Sequence, residues 1–249
     1  MNKNVNIVIP MAGLGSRFSI AGYEKPKPFI DILGKPMIWR VLENLEFEGS
    51  KFILIARKEH VEMYSKTFEE IAKRFDTEIV VINRLTEGMA CTVLYARSLI
   101  DNTNPVLLAN SDQIIDISIE MFVGDCIDRK IDGSILCFRD EFKDPKWSFV
   151  KVGMDGLVTA VAEKKPISDM ASVGIYFYTR GKDFVDCAID MIVRGDKVNN
   201  EYYTCPTYNY AVQKGLKVGI YEIPYEKMHG VGTPADLDKY LTLRAEGSI

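Results

Sequence analysis

Short runs of apolar and β-branched residues alternate with segments of helical periodicity over the first 140 residues. The apolar runs predict strands at residues 5–10, 52–56, 78–82, 106–109 and 134–138. The segments between them repeat apolar residues three and four positions apart, which predicts helices at residues 36–45, 60–75, 91–100 and 119–129. Strands that alternate with helices favour a mostly parallel sheet with helices on both faces.

The pattern changes after residue 140. Alternating residues predict strands at 147–152 and 157–163, and the Met154-Asp155-Gly156 turn between them is typical of a β-hairpin. The remaining predicted elements are a strand at 172–178, helices at 182–193 and near 203–214, a strand at 218–223 and a helix after Thr233-Pro234. No Gly/Ser-rich linker interrupts them. We therefore predict one α/β domain over residues 1–249, a Rossmann-like fold with a mixed, mostly parallel central sheet and a small β-hairpin region.

Two glycines, Gly13 and Gly15, follow the first predicted strand in the segment MAGLGSRF. Glycine lets the backbone turn tightly and bring its N–H groups toward an anion, and Arg17, Lys25 and Lys27 add positive charge nearby. A P-loop would have Lys followed by Ser or Thr after the second glycine, and a dinucleotide-binding loop would have a small residue in place of Phe18. The segment therefore predicts a phosphate site of a different type.

Asp112 follows the strand predicted at 106–109 and places a carboxylate at the sheet edge, where ligands of parallel sheets bind. By position alone, it is equally suited to binding Mg²⁺ and to capping the next turn. Gly88 lies in a strand-to-helix turn, where an ordinary loop residue is the more common interpretation. Glu163 and Lys164 end a hairpin strand, where charged residues are usually only solvated.

Composition and charge narrow the classes of partner. The chain of 249 residues is 47% hydrophobic and 27% charged, and its net charge is −4, so it has no overall positive field for nucleic acid. No stretch approaches the roughly 18 apolar residues of a membrane span, and the first apolar run is too short for a signal peptide. We therefore expect a cytoplasmic protein that binds neither nucleic acid nor membrane. The five cysteines include no C-x-x-C pair, which predicts reduced thiols without structural zinc.

Together these segments resemble the nucleotidyltransferase family that joins an NTP to a sugar phosphate or small alcohol phosphate and releases pyrophosphate. Four elements occur in family order: MAGLGSR with PKP, the strand-end Asp112, the EKKP strand and VGTP. The resemblance implies an NTP-binding half at 1–139 and an acceptor-binding half at 140–249. It also implies a role for each of the following residues: Arg17 and Lys27 in catalysis; Met11, Ala12, Gly13, Gly15, Ser16, Asn83, Gly88 and Met89 in nucleotide binding; Glu163, Lys164, Gly174 and Glu201 in acceptor binding; and Asp112 in binding Mg²⁺, with Mn²⁺ as an alternative.

The chain departs from the family pattern at two places. Many relatives have a second metal-binding Asp where this chain has Gly230, which leaves the number of bound metals open and makes Glu226 and His229 alternative ligands. The extra lysine in EKKP leaves Lys164 and Lys165 as alternatives for the acceptor phosphate. The tyrosines between residues 202 and 210 suit an acceptor pocket and core packing equally.

Gly230 and the lack of an obvious sugar-binding insertion favour CTP and a small acceptor of phosphocholine or phosphoglutamine type, with capsule or surface polysaccharide biosynthesis as the expected role. A sugar-1-phosphate uridylyl- or thymidylyltransferase, using UTP or dTTP, is the first alternative. The second is an inactive regulatory or scaffold protein that binds a nucleotide sugar. A homodimer is compatible with the resemblance, since relatives are often dimers or larger.

Overall fold

The computed structural model describes residues 4–247. The strands are β1 (Val5–Pro10), β2 (Asp31–Ile32), β3 (Lys35–Pro36), β4 (Ser50–Arg57), β5 (Thr77–Ile82), β6 (Val106–Ala109), β7 (Gln113–Ile115), β8 (Gly133–Arg139), β9 (Ser148–Val152), β10 (Val158–Glu163), β11 (Met170–Tyr178), β12 (Val218–Ile223) and β13 (Met228–Gly230). The α-helices are α1 (Ser16–Ile20), α2 (Met37–Leu45), α3 (Lys58–Met63), α4 (Ser65–Arg74), α5 (Met89–Val93), α6 (Arg97–Ile100), α7 (Ile119–Asp128), α8 (Gly181–Val193), α9 (Thr207–Gln213) and α10 (Pro234–Ala245). Single 3₁₀ turns lie at Lys27–Phe29, Leu94–Ala96 and Tyr225–Lys227.

A nine-stranded sheet runs through the centre in the order β10-β9-β11-β6-β1-β4-β5, and β8 and β12 continue from β11. β6, β1, β4 and β5 pair in parallel, and β11 pairs antiparallel with β6, β8 and β9. The predicted mixed, mostly parallel sheet is thus confirmed. β9 and β10 form the predicted antiparallel hairpin.

Helices cover both faces of this sheet. Successive residues of each strand point to opposite faces, so each strand contributes side chains to both layers of the core. In β1, Ile7 and Ile9 join a core cluster that includes Leu42 of α2, whereas Val8 joins a second cluster that includes Phe184 of α8. All five side chains are completely buried. The long apolar runs of the sequence are therefore strands with two buried faces.

Some predicted helices differ from the observed ones in their bounds. The helix predicted at 60–75 breaks at Tyr64, whose ring stacks on Phe29 with 3.9 Å between the ring centroids. The helix predicted near 203–214 begins only at Thr207, directly after Pro206. The short pairs β2–β3 and β7–β13 were not predicted, because two or three residues are too few to show a periodic pattern.

The predicted single domain extends to residues 1–3 and 248–249, which lie outside the described residues. Its division into two halves at residue 139 stays a prediction. Across residues 4–247, every helix is too short or too polar to cross a bilayer.

His60 makes the stability of the fold depend on pH. It is buried, and its Nε2 lies 2.8 Å from the Nη2 of Arg57, which can only donate, so the ring is neutral with its proton on Nδ1. Burial, and then the positive charge of Arg57, lower the pKa of His60. The unfolded chain therefore takes up a proton near pH 6.5 that the folded chain resists.

We expect the free energy of unfolding to be greatest above about pH 6.5 and to fall as the pH drops through that value. Urea unfolding at pH 7.5 and pH 5.5 measures this loss, and His60→Gln should make it smaller, since glutamine still offers an acceptor to Arg57. The chain has one other histidine, His229, and His229→Gln is the matched control. An equal loss in wild type and His60→Gln would contradict the assignment.

Candidate active site

The loops after β1 and β6 meet because these strands are parallel neighbours. The β1 loop carries the glycine segment, and the β6 loop carries Asn110, Ser111 and Asp112. β11 approaches the same edge from the other side, since the backbone N–H of Asn110 donates to the carbonyl of Gly174 at 3.1 Å. The carboxyl ends of β1 and β6 thus place the predicted phosphate site, the predicted metal ligand and part of the predicted acceptor site together.

An ion pair joins the two sides of this edge. The Nζ of Lys27 lies 2.7 Å from Oδ2 of Asp112, and both side chains are largely buried, with 22% and 17% of their surface exposed. Gly15 leaves the space in which Lys27 packs, because a Cβ on residue 15 would lie only 2.9 Å from the Cβ of Lys27. The φ of Gly15 is +62°, which favours glycine in any case.

A small cavity of about 240 Å³ lies beside this ion pair. It is lined by Pro10, Met11, Ala12, Gly13, Lys27, Pro28, Met89, Thr92, Asn110, Ser111 and Asp112. Four of the predicted nucleotide contacts are in this set: Met11, Ala12, Gly13 and Met89. Ser16 begins α1 just beyond it.

The other four predicted nucleotide contacts, Gly15, Ser16, Asn83 and Gly88, do not line the small cavity. Asn83 is exposed after β5. Gly88 precedes α5 with a φ of +111°, and a Cβ there would lie 2.6 Å from the backbone N and O of Tyr202. Tyr202 also bonds to both sides of Gly88, donating its N–H to Glu87 and accepting from Ala90. Close packing against Tyr202 is sufficient reason for glycine at this position, and base contacts by Asn83 and Gly88 stay predictions.

A large cavity of about 1050 Å³ opens on the other side of Asp112. All four predicted acceptor residues line it: Glu163, Lys164, Gly174 and Glu201. Arg17 lines it as well, and Met89, Asn110 and Asp112 line both cavities. The two cavities therefore meet at Asp112.

Charged groups of the β-hairpin form one end of the large cavity. Glu163 is buried and accepts a hydrogen bond from the hydroxyl of Ser148. Burial raises the pKa of Glu163 despite that bond. The Nζ of Lys164 donates to the hydroxyl of Tyr203 at 2.7 Å. Lys165 is exposed and does not line the cavity, so Lys164 is the lysine that the structure places there.

Comparison with known proteins identifies the family of the chain. Residues 7–206 match the family model described as nucleotidyl transferase. The chain belongs to the nucleotidyl transferase family.

Curated relatives match the larger part of this chain. A mannose-1-phosphate guanylyltransferase catalytic subunit beta of Drosophila melanogaster is 23% identical over 182 residues, which are 72% of this chain and 49% of the relative. The chain thus spans about half the length of the curated relatives it matches.

Two solved structures share its fold. A nucleoside-diphosphate-sugar pyrophosphorylase of Vibrio cholerae aligns with a TM-score of 0.79 and 26% identity, over 95% of this chain and 99% of the other. An inositol-1-phosphate CTP transferase of T. maritima aligns with a TM-score of 0.72 and 15% identity, over 98% and 96%. The latter comparison concerns the fold alone.

Gly230 lies on β13, paired with Gln113 of β7. His229, proposed above as an alternative metal ligand, has its Nε2 engaged 2.8 Å from Oδ2 of Asp116. Glu226 lines the large cavity. Gly232 lies so close to Asp112 that a Cβ there would overlap Oδ2 of the carboxylate.

The residues present fit a divalent ion that takes few ligands from protein. Asp112 supplies a hard carboxylate oxygen where the two cavities meet. Within residues 4–247, no three His, Cys, Asp or Glu side chains are grouped so as to hold a metal. Mg²⁺ commonly takes one or two carboxylates and obtains its other ligands from phosphates and water.

Sequence patterns missed several polar residues of the large cavity. The buried residues among them are Gln113, Ser148, Ser172, Tyr176, Thr204 and Tyr240. A signal was present for Ser172, which is a polar residue inside the largely apolar strand β11.

Proposed function

We propose that this chain transfers the nucleotidyl group of an NTP to a small phosphorylated acceptor and releases pyrophosphate. The observation that carries the proposal is the meeting of two cavities at the Lys27–Asp112 ion pair. Family membership supports the reaction class. CTP is the nucleotide we favour, with UTP and dTTP as alternatives, and capsule or surface polysaccharide biosynthesis is the proposed role.

In this proposal a phosphate oxygen of the acceptor attacks the α-phosphorus of the NTP. A new P–O bond forms, the bond to the bridging oxygen breaks, and pyrophosphate leaves with the bond electrons. The attacking oxygen is already anionic, so the protein has to position two polyanions and offset their repulsion, without a strong general base. Arg17 and Lys27 hold the NTP phosphates, and Lys164 holds the acceptor phosphate. Mg²⁺, held by Asp112, would neutralise charge on the phosphates.

A panel of CTP, UTP, dTTP, ATP and GTP, each with phosphorylated sugars and small alcohols and with Mg²⁺, tests the proposal by pyrophosphate release. We expect release with a small non-sugar acceptor and CTP. Release with UTP or dTTP and a sugar 1-phosphate would support the uridylyl- or thymidylyltransferase alternative. The departure from the family pattern at Gly230 favours the second alternative, a regulatory protein that binds a nucleotide sugar. Binding of ligands from the panel without any release of pyrophosphate would support that alternative.

Gly230→Asp tests whether the chain works with one carboxylate at this site. The nearest atoms to a Cβ on residue 230 are the side-chain amide atoms of Gln113, at 3.8 and 4.0 Å, so an Asp fits without backbone strain. We expect the variant to fold normally and to bind Mn²⁺ several-fold more tightly in the presence of NTP, as measured by electron paramagnetic resonance. Unchanged Mn²⁺ affinity would place residue 230 outside the metal site.

A further inference from the structure

Three of the described residues line both cavities: Met89, Asn110 and Asp112. Met89 has only a weakly accepting thioether, and the carboxylate of Asp112 is already paired with Lys27. Asn110 is therefore the neutral member of this set that can both donate and accept hydrogen bonds. Its side chain lies at the boundary that a group must cross to pass from one cavity to the other.

The side-chain amide of Asn110 has no hydrogen-bond partner within residues 4–247. The backbone N–H of the same residue is used, since it donates to the carbonyl of Gly174. Asn110 is half-buried, and neither atom of its amide is sealed off from solvent. Because polar groups inside a protein normally have partners, an open amide with two N–H donors and one acceptor is available to a ligand.

Gly174 leaves the space in which this amide lies. A Cβ on residue 174 would lie 2.3 Å from Nδ2 and 3.0 Å from Cγ of Asn110. Hydrogen bonds hold Gly174 on both sides, because its N–H donates to the hydroxyl of Ser172 and its carbonyl accepts from the N–H of Asn110. The amide of Asn110 therefore packs against a fixed backbone before any ligand binds.

The α-phosphoryl group is the part of the NTP that would move between the two substrates. Negative charge is spread over its non-bridging oxygens in the transition state. A neutral amide can donate to one of these oxygens without repelling the phosphates and without losing a proton. A donor that is held in place also orients the group for attack. The position and the chemistry of Asn110 both suit this contact.

We propose that Asn110 is a catalytic residue whose side-chain N–H donates to a non-bridging oxygen of the α-phosphoryl group. This inference rests on the function proposed above. The hydrogen bond forms when the NTP binds and strengthens as charge develops on that oxygen during transfer. It therefore contributes more to turnover than to binding. The bonds that form and break are those given above, and the amide keeps its protons.

Asn110→Ala tests the inference with the purified protein and the substrates that the panel identifies. We expect kcat to fall by about 100-fold, the lower end of the range found when one preorganised donor is removed. The KM values for the NTP and the acceptor should change by less than about fivefold, since one neutral hydrogen bond contributes little to binding. Asn104→Ala removes an exposed amide before the other end of β6 and is the matched control. An unchanged kcat in Asn110→Ala would overturn the inference, and so would a loss confined to the KM of the acceptor.

NTPs that carry sulfur in place of one non-bridging α-oxygen locate the contact. The two diastereomers place the sulfur at one oxygen or the other, and sulfur accepts hydrogen bonds only weakly. Wild type should use the diastereomer with sulfur toward Asn110 more slowly than the NTP, and Asn110→Ala should reduce this difference by about tenfold. The rate ratio for the other diastereomer should stay the same. A substitution that only disturbed packing would slow all three nucleotides alike, and ratios unchanged for both diastereomers would overturn the inference.

A second variant and a binding measurement cover the remaining outcomes. Should Asn110→Ala not fold, Asn110→Asp takes its place, because it has the same size and lacks the N–H donors. Absence of turnover in wild type would be a failure of the proposed function. In that case the ³¹P resonances of bound CTP with Mg²⁺ are compared, and those of the α-phosphorus should differ between wild type and Asn110→Ala while the β and γ resonances agree. Identical α resonances would overturn the contact.

Discussion

Replacing Lys27 by alanine is expected to lower kcat/KM by about 100- to 1000-fold, the range found when one preorganised donor is removed from a charge-stabilising site. Lys27 begins a 3₁₀ turn, packs against Gly15 and lines the small cavity. The backbone and Cβ of Lys27 are therefore held in place before any ligand binds. Its ammonium has only to exchange Asp112 for the phosphates, and an alanine leaves that charge missing.

Lys25→Ala is the matched control for this experiment, because it removes an equal charge two residues earlier from an exposed side chain that lines neither cavity. The control should retain near wild-type kcat/KM. A loss of less than about tenfold in Lys27→Ala would contradict the proposed role of Lys27 in holding the NTP phosphates.

Asp112→Asn is expected to abolish most turnover at ordinary Mg²⁺ concentrations, with kcat/KM reduced by about 100-fold or more. Asparagine preserves the size of the side chain, which matters because Gly232 lies against it. The substitution therefore removes the charge of Asp112, and with it the ion pair to Lys27, without changing the size of the side chain. Titration of activity with Mg²⁺ and with Mn²⁺ should show a higher metal requirement in the variant.

Asp238→Asn, on the exposed surface of α10, controls for the loss of one negative charge. Wild-type activity of Asp112→Asn at ordinary metal concentration would remove Asp112 from the metal site. Direct binding of Mn²⁺ to the protein with NTP, measured without the acceptor, separates lost metal affinity from lost chemistry.

The parts of the fold that local chemistry dictates could be predicted from the sequence. β1 was predicted at its observed bounds because its alternate side chains are buried on both faces of the sheet. The turn at Gly15 was predicted because the residues after the strand require glycine flexibility. In these cases the physical cause lies within a few neighbouring residues.

The parts that depend on distant residues could not be predicted. Lys27 and Asp112 are 85 residues apart, and neither sequence pattern indicates that they form an ion pair. The sequence indicates only an ordinary loop residue at Gly88. In the structure, its φ and its lack of a Cβ allow it to pack against the backbone of Tyr202.

The ion pair between Lys27 and Asp112 has a kinetic consequence. Lys27 already neutralises the carboxylate of Asp112, so the protein without nucleotide should bind free divalent cations weakly. The triphosphate gives Lys27 another anion to hold, and only then is Asp112 released. Initial-rate measurements should therefore follow an ordered scheme, in which the nucleotide and its counter-ion enter as one unit ahead of the acceptor.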